Sequence, residues 1–194
     1  MFTGQGNQAL LALSPCAFLS SRQCPGAAIR AAMDWALAQA QLHRPVVSGF
    51  HSPLEQQVLR SVLRRRGRVV KVLARGITDY RPTAEEREPL AAGRMLVITA
   101  CPPEVRRTTR DTALARNRLV LDLASEIVAP FVAAGSPLAA LLNDESLGRT
   151  VKESAPSLLN LPADAVRRNL GEMAEGSEEA AEAGSALERV GEAE

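Results

Sequence analysis

Five short runs rich in branched apolar residues recur along this chain, and stretches of helical period separate them. The runs are "CAFL" (16–19), "PVVSG" (45–49), "RVVKVLA" (68–74), "RMLVITA" (94–100) and "EIVAPFV" (126–132). The stretches cover 25–42, 53–66, 84–92, 109–125 and the residues after Ser136. In the second stretch Leu54, Val58 and Val62 recur every four residues, and Leu59 and Leu63 share their side. Strands alternating with helices predict an α/β fold with a mainly parallel sheet, here of five or six strands within residues 15–155. The runs are almost wholly apolar, as expected when helices cover both faces of the sheet in three layers.

Charge divides the chain in two. Residues 172–194 hold eight Glu and only Arg189, a net of −7. Subtracting that from the overall +1 leaves +8 for residues 1–171. The acidic segment is low in complexity and poor in large apolar groups, so residues 166–194 are expected to form a disordered tail behind a domain of residues 1–165. Aromatic residues make up only 3% of the chain, which argues against recognition dominated by base stacking. No apolar run reaches the roughly 18 residues of a membrane span, and the first residues lack the basic start of a signal peptide. Cys16, Cys24 and Cys101 have no metal-type spacing and read as free thiols in a reducing cytoplasm.

Ligands of parallel sheets bind where strand order reverses, outside the carboxyl ends of the strands. The segments expected there are "LSSRQCPG" (19–26), "SGFHSPLE" (48–55), "TACPPEVRR" (99–107) and "VAAGSPL" (132–138), rich in Ser, Gly, Pro and Arg. Ser52-Pro53-Leu54-Glu55 has capping-box spacing; Ser136-Pro137 and Thr83 with Glu86 repeat the start signal. Helix starts just after strand ends are ready anion sites, although Ser52, Glu55 and Ser136 also serve as plain caps. Neither G-x-G-x-x-G in the first loop nor G-x-x-x-x-G-K-[ST] anywhere is present, so neither an ordinary dinucleotide site nor a P-loop is supported. His51 stands in the second loop as a candidate ligand contact, with no Ser-His-Asp or metal set around it. No metal or cofactor is implied.

The motifs "FLSSR" (18–22), "VVSGFHSPLEQQVL" (46–59), "RNRLVLDLASEIVAP" (116–130) and "AGSPLAALL" (134–142) follow one another in an order that closely resembles the DNA-processing protein A (DprA/Smf) family. That family lies within a wider group of Rossmann-like domains that includes the LOG proteins. "GRTV" (148–151) resembles the family's next turn into a strand. The resemblance implies a Rossmann-like domain that binds single-stranded DNA or nucleotide phosphate, pairs with itself as a homodimer, and works with a RecA-type recombinase. Carried over by position, Ser21 and Arg22 end the first strand, Ser48 and Gly49 end the second, Arg116, Asn117 and Arg118 form the family triplet, and Gly135 and Ser136 make the last phosphate-facing turn. "FHSPLEQQVL" replaces the family's longer glycine-rich loop, and the LOG phosphoribohydrolase motif is absent.

These readings converge on one expectation. Arg22 and either Arg116 or Arg118, with the N–H groups after Ser52 and Ser136, should form one anion pocket that binds without catalysis. The alternative is a sensor or phosphoribohydrolase-like enzyme for a nucleotide-derived small ligand, with Glu55 as the candidate carboxylate. Arg116 and Arg118 lie about 200° apart around a helix, so only one should face the ligand. The run Arg60, Arg64, Arg65, Arg66 and Arg68 sits at a helix end, where cations complement the dipole.

Overall fold

A computed structural model describes residues 2–143 and a two-residue strand at 158–159. Seven strands form one sheet: β1 (Thr3–Gly6), β2 (Cys16–Phe18), β3 (Val46–Ser48), β4 (Val69–Leu73), β5 (Met95–Thr99), β6 (Glu126–Ala129) and β7 (Leu158–Leu159). Among the described residues five α-helices join them: α1 (Gly26–Gln41), α2 (Pro53–Arg64), α3 (Ala84–Ala91), α4 (Arg110–Asp122) and α5 (Pro137–Leu142). The five strands expected between residues 15 and 155 are β2 to β6, and all pair in parallel. The sheet order is β1-β5-β4-β3-β2-β6-β7. From β2 the chain adds β3, β4 and β5 on one side, then crosses to add β6 on the other. Strand order therefore reverses between β2 and β6, and a crevice opens at their carboxyl ends. The "GRTV" turn and the acidic tail lie outside the described residues.

Alternate strand residues separate two cores. Cys16, Phe18, Val46 and Val69 face α1 and α2, meeting Trp35, Leu54, Val58 and Val62. The Phe18 and Trp35 rings stack with centroids 5.1 Å apart. Ala17, Leu19, Val47, Val70, Leu96 and Ile98 face the other way, against α4, α5 and a short 3-10 helix at Gln8–Leu13. This period-two division is why the strand runs read as continuous apolar blocks. It yields the expected three layers.

β1 is the element the apolar pattern did not signal. Its sequence Thr-Gly-Gln-Gly is exposed throughout, and it pairs antiparallel with β5, Thr3 opposite Thr99. Gly6 has φ +110°, and a Cβ there would lie 2.3 Å from the Met95 carbonyl oxygen. Backbone proximity, not side-chain burial, places this strand.

One polar interruption, Lys71 in β4, is matched from α3. Glu86 is 2% exposed; its Oε1 accepts from Lys71 Nζ at 2.6 Å, and its Oε2 accepts from Tyr80 Oη at 3.0 Å and from the Thr83 N–H at 2.9 Å. Glu86 thus closes the capping box of α3 and pairs a strand lysine at the same time. Burial alone would raise its pKa, but the hydrogen bonds from Lys71, Thr83 and Tyr80 and the Lys71 charge hold it below the ordinary 4.5. The Tyr80 phenol is pushed up, by burial and then by the Glu86 charge. A carboxylate with a lowered folded pKa contributes stability above its unfolded pKa and loses it as pH falls through the folded value. Replacing Glu86→Gln is predicted to cost about 1–3 kcal/mol at neutral pH. The gap between parent and variant should narrow as the pH drops below the ordinary carboxylate range. Urea unfolding of both proteins at neutral and acid pH checks this; a gap that does not change with pH would count against it.

Candidate functional site

The crevice between β2 and β6 holds a cavity of about 530 Å³. Its frame is built from the strand ends. Glu55, in the first turn of α2, is 5% exposed and reaches back across the loop after β3. Its Oε1 accepts from the Ser20 N–H at 3.1 Å, and its Oε2 accepts from the N–H groups of His51 at 2.7 Å and Ser52 at 3.2 Å. Ser20 and Ser52 share a hydroxyl–hydroxyl hydrogen bond of 2.7 Å, and Ser52 Oγ also accepts from the Glu55 N–H. The capping box legible in Ser52-Pro53-Leu54-Glu55 is therefore present, and it also ties the end of β2 to the end of β3. Across the crevice, Ser21 accepts from the Ala133 N–H through Oγ at 2.8 Å and donates its own N–H to Phe131 O at 3.1 Å. These bonds pin the loop after β6 to the loop after β2.

Arg116 enters this frame from the middle of α4. It lines the cavity and is only 9% exposed. Among the described residues it makes no ion pair, and its Nε is buried without a hydrogen-bond partner. Burial lowers its pKa below the ordinary arginine value, and the charge of Glu55 opposes that shift. Its guanidinium sits in the space beside Gly49: a Cβ on that glycine would fall 1.6 Å from Arg116 Nη1 and 2.3 Å from Cζ. Any larger residue at 49 would occupy the arginine's seat. A cation removed from water without a partner costs free energy, so the arrangement is one that an anion entering the crevice would relieve.

Arg22 guards the outer side. It is exposed, and its Nη2 donates to His51 Nε2 at 3.1 Å. A guanidinium has no acceptor, so this bond requires the imidazole proton on Nδ1. Arg22 and His51 both line the cavity, so the two loops present their polar heads together.

The sequence-derived candidates divide accordingly. Ser21, Arg22, His51, Ser52, Arg116, Asn117 and Ser136 line one cavity. Ser48, Gly49, Arg118 and Gly135 do not. Ser48 is fully buried, and its Oγ accepts from the Phe50 N–H at 3.1 Å, closing the turn after β3. Phe50 takes φ 49° there, which sends its ring into the core and turns His51 to the crevice. Gly49 acts through the space it leaves for Arg116. Arg118 is exposed, two positions round the helix from Arg116, as the helical angle requires. Gly135 is exposed with φ +68° and makes the turn into α5. At the two helix starts, where the N–H groups after Ser52 and Ser136 are expected in the pocket, part of the donor set is already taken. Pro53 and Pro137 have no N–H, and the serine caps take the N–H groups of Glu55 and Ala139. Ser20 is a structural partner that the candidate residues omitted, although "LSSR" carries it, and Glu55, expected as a cap and candidate carboxylate, also ties the two loops together.

The parallel strand order and the helices on both faces define a Rossmann-like three-layer domain, with Arg22 and Arg116 lining the crevice at its switch point. The model of the family of DNA recombination-mediator protein A matches residues 1–136, and the chain belongs to this family. Its fold is similar to that of DNA processing protein A from Streptococcus pneumoniae, with a TM-score of 0.64 at 19% identity over 88% of this chain. The chain spans 60% of the length of that protein. It is also similar to the Helicobacter pylori protein, described for its single-stranded DNA binding mode, with a TM-score of 0.63 at 17% identity over 90% of this chain and 87% of that one. A search of curated proteins finds no match. Among the described residues no helix is long and apolar enough to cross a membrane.

The unpartnered arginine leads to an uncommon prediction. Arg116→Met should stabilise the ligand-free protein by about 1 kcal/mol or more, because an apolar side chain of similar length removes a buried charge. Denaturant unfolding without ligand measures this; a loss of stability instead would mean that the guanidinium is held by contacts of its own. Gly49→Ala should expel the Arg116 side chain from its seat, and the same unfolding measurement, with a structure of the variant, reports it.

Proposed function

We propose that this protein binds single-stranded nucleic acid through its phosphates at the carboxyl edge of the sheet, without catalysing a reaction on it. The observation that carries the reading is Arg116: a buried guanidinium, unpartnered among the described residues, facing a crevice at the switch point. A guanidinium is a planar fork that suits a phosphate, and a phosphate supplies the charge this one lacks. Family membership, the net +8 of residues 1–171 and the exposed Arg22 support the same reading. Phosphate contacts provide most nonspecific affinity for nucleic acid. Among the described residues no Phe, Tyr or Trp lines the cavity, so recognition runs through the backbone and tolerates base sequence. Glu55 supports binding over hydrolysis, since its oxygens accept three main-chain N–H groups and hold the frame. A homodimer, a RecA-type recombinase partner and a cytoplasmic setting belong to this reading through the family.

One observation favours a second reading, a nucleotide-derived small molecule. A cavity of about 530 Å³ falls within the range of small-ligand pockets, about 300–1,000 Å³. Titrating thymidine 5′-phosphate and an oligothymidylate separates the two. The nucleic-acid reading predicts that the oligomer binds more tightly and with a steeper salt dependence; equal affinities would favour the small ligand. Arg22→Ala and Arg116→Ala should each weaken both ligands by about 1.5–3 kcal/mol, the scale of a hydrogen bond to a charged group. If both variants bind like the parent, the crevice is not the site.

A further inference from the structure

The carboxyl edge continues beyond the crevice to the end of β5. There the segment from Thr99 to Arg110 carries Arg106, Arg107 and Arg110 against one acid, Glu104. All three arginines are exposed. Arginines with structural roles elsewhere are visibly engaged. Arg60 and Arg64 pair with Glu85, and Arg44 with Glu126. Arg68 and Arg94 donate to the carbonyls of His43 and Gly67. Among the described residues Arg106 and Arg107 engage neither an acid nor a carbonyl. Neutralising repulsion between adjacent cations would favour an acid here, and the sequence supplies a second arginine instead.

The loop that presents them is held firmly. Thr99 Oγ1 donates to Arg75 O at 2.8 Å and accepts from the Cys101 N–H at 3.0 Å. The Gly76 N–H donates to Val105 O at 2.7 Å, and the Val105 N–H to Pro102 O at 3.1 Å. Pro102 and Pro103 stiffen the turn further. The loops after β4 and β5 are thereby stitched into one platform, with Arg106 following directly from the stitched Val105. A firm backbone beneath two free cations reduces the ordering cost of binding a flexible polyanion.

We propose that Arg106 and Arg107 form a second phosphate contact, which extends the path of a single strand from the crevice across the ends of β3 and β4 to β5. The proposal rests on the crevice reading. Three strand spacings of about 4.8 Å separate β2 from β5, a span of about 14 Å, so a single nucleotide seated in the crevice would not reach the loop. A longer strand would. The two contacts are therefore separable by ligand length.

The test titrates the parent, the double variant Arg106→Ala/Arg107→Ala, the charge-retaining Arg106→Lys/Arg107→Lys and Arg116→Met with thymidine 5′-phosphate and with an oligothymidylate. Salt is varied from about 50 to 200 mM. The alanine pair is expected to leave mononucleotide affinity unchanged. It should weaken the oligomer about tenfold near 0.1 M salt and reduce the slope of log K against log salt by about 1.4, or 0.7 for each of two lost phosphate contacts. The lysine pair should keep the parental slope. An oligomer affinity and slope unchanged in the alanine pair would overturn the proposal. Mononucleotide affinity indifferent to Arg116→Met would overturn the crevice reading, a result recognisably different from the first.

Discussion

One carboxylate holds the edge of this sheet in shape. Glu55 accepts N–H groups from Ser20, His51 and Ser52, so a residue of α2 fixes the loops after β2 and β3 at once. The crevice depends on that link. Without it the Ser20–Ser52 hydroxyl pair loses its geometry, and the Arg22–His51 pair above it loses its base. Leu19 and Phe50 anchor these loops in the two cores, and a buried acceptor with three main-chain donors fixes them to each other. The same device recurs one helix later, where Glu86 caps α3 and takes Lys71 and Tyr80. In both places a helix-starting acid does more than cap.

Against that rigid frame Arg116 stands without an ion pair among the described residues, its charge offset only in part by Glu55. Folding a guanidinium to 9% exposure with Nε unbonded works against stability. Gly49 makes the placement possible, since no side chain competes for the space. Proteins tolerate such local cost where function needs a prepared site, and on the proposed reading the stability withheld in the free state would become available when an anion arrives. This gives the Arg-Asn-Arg triplet a clear division: Arg116 faces the crevice, Asn117 lines it beside, and Arg118 stays at the surface.

Much of this was legible in the sequence. The five parallel strands were visible because both faces of each are buried, so apolar runs stand out. The helix starts were visible through Ser-Pro and capping-box spacing, and the triplet through its order among the motifs. β1 was not legible, because Thr-Gly-Gln-Gly has no apolar pattern and is held by backbone pairing to β5. The roles of Ser48 and Gly49 were only half legible: both belong to the site's architecture, but one closes a turn and the other leaves a space. Periodicity reports which side chains are buried. It does not report which backbone atom a glycine allows another residue to approach, nor that a cap will also bond a neighbouring strand.

The most direct measurement is a structure of the protein with an oligothymidylate bound. The account predicts a phosphate in the crevice, with its oxygens about 2.7–2.9 Å from the Arg116 guanidinium and Glu55 still holding its three N–H groups. A strand bound elsewhere on the surface, with Arg116 still unengaged beneath an empty crevice, would contradict it.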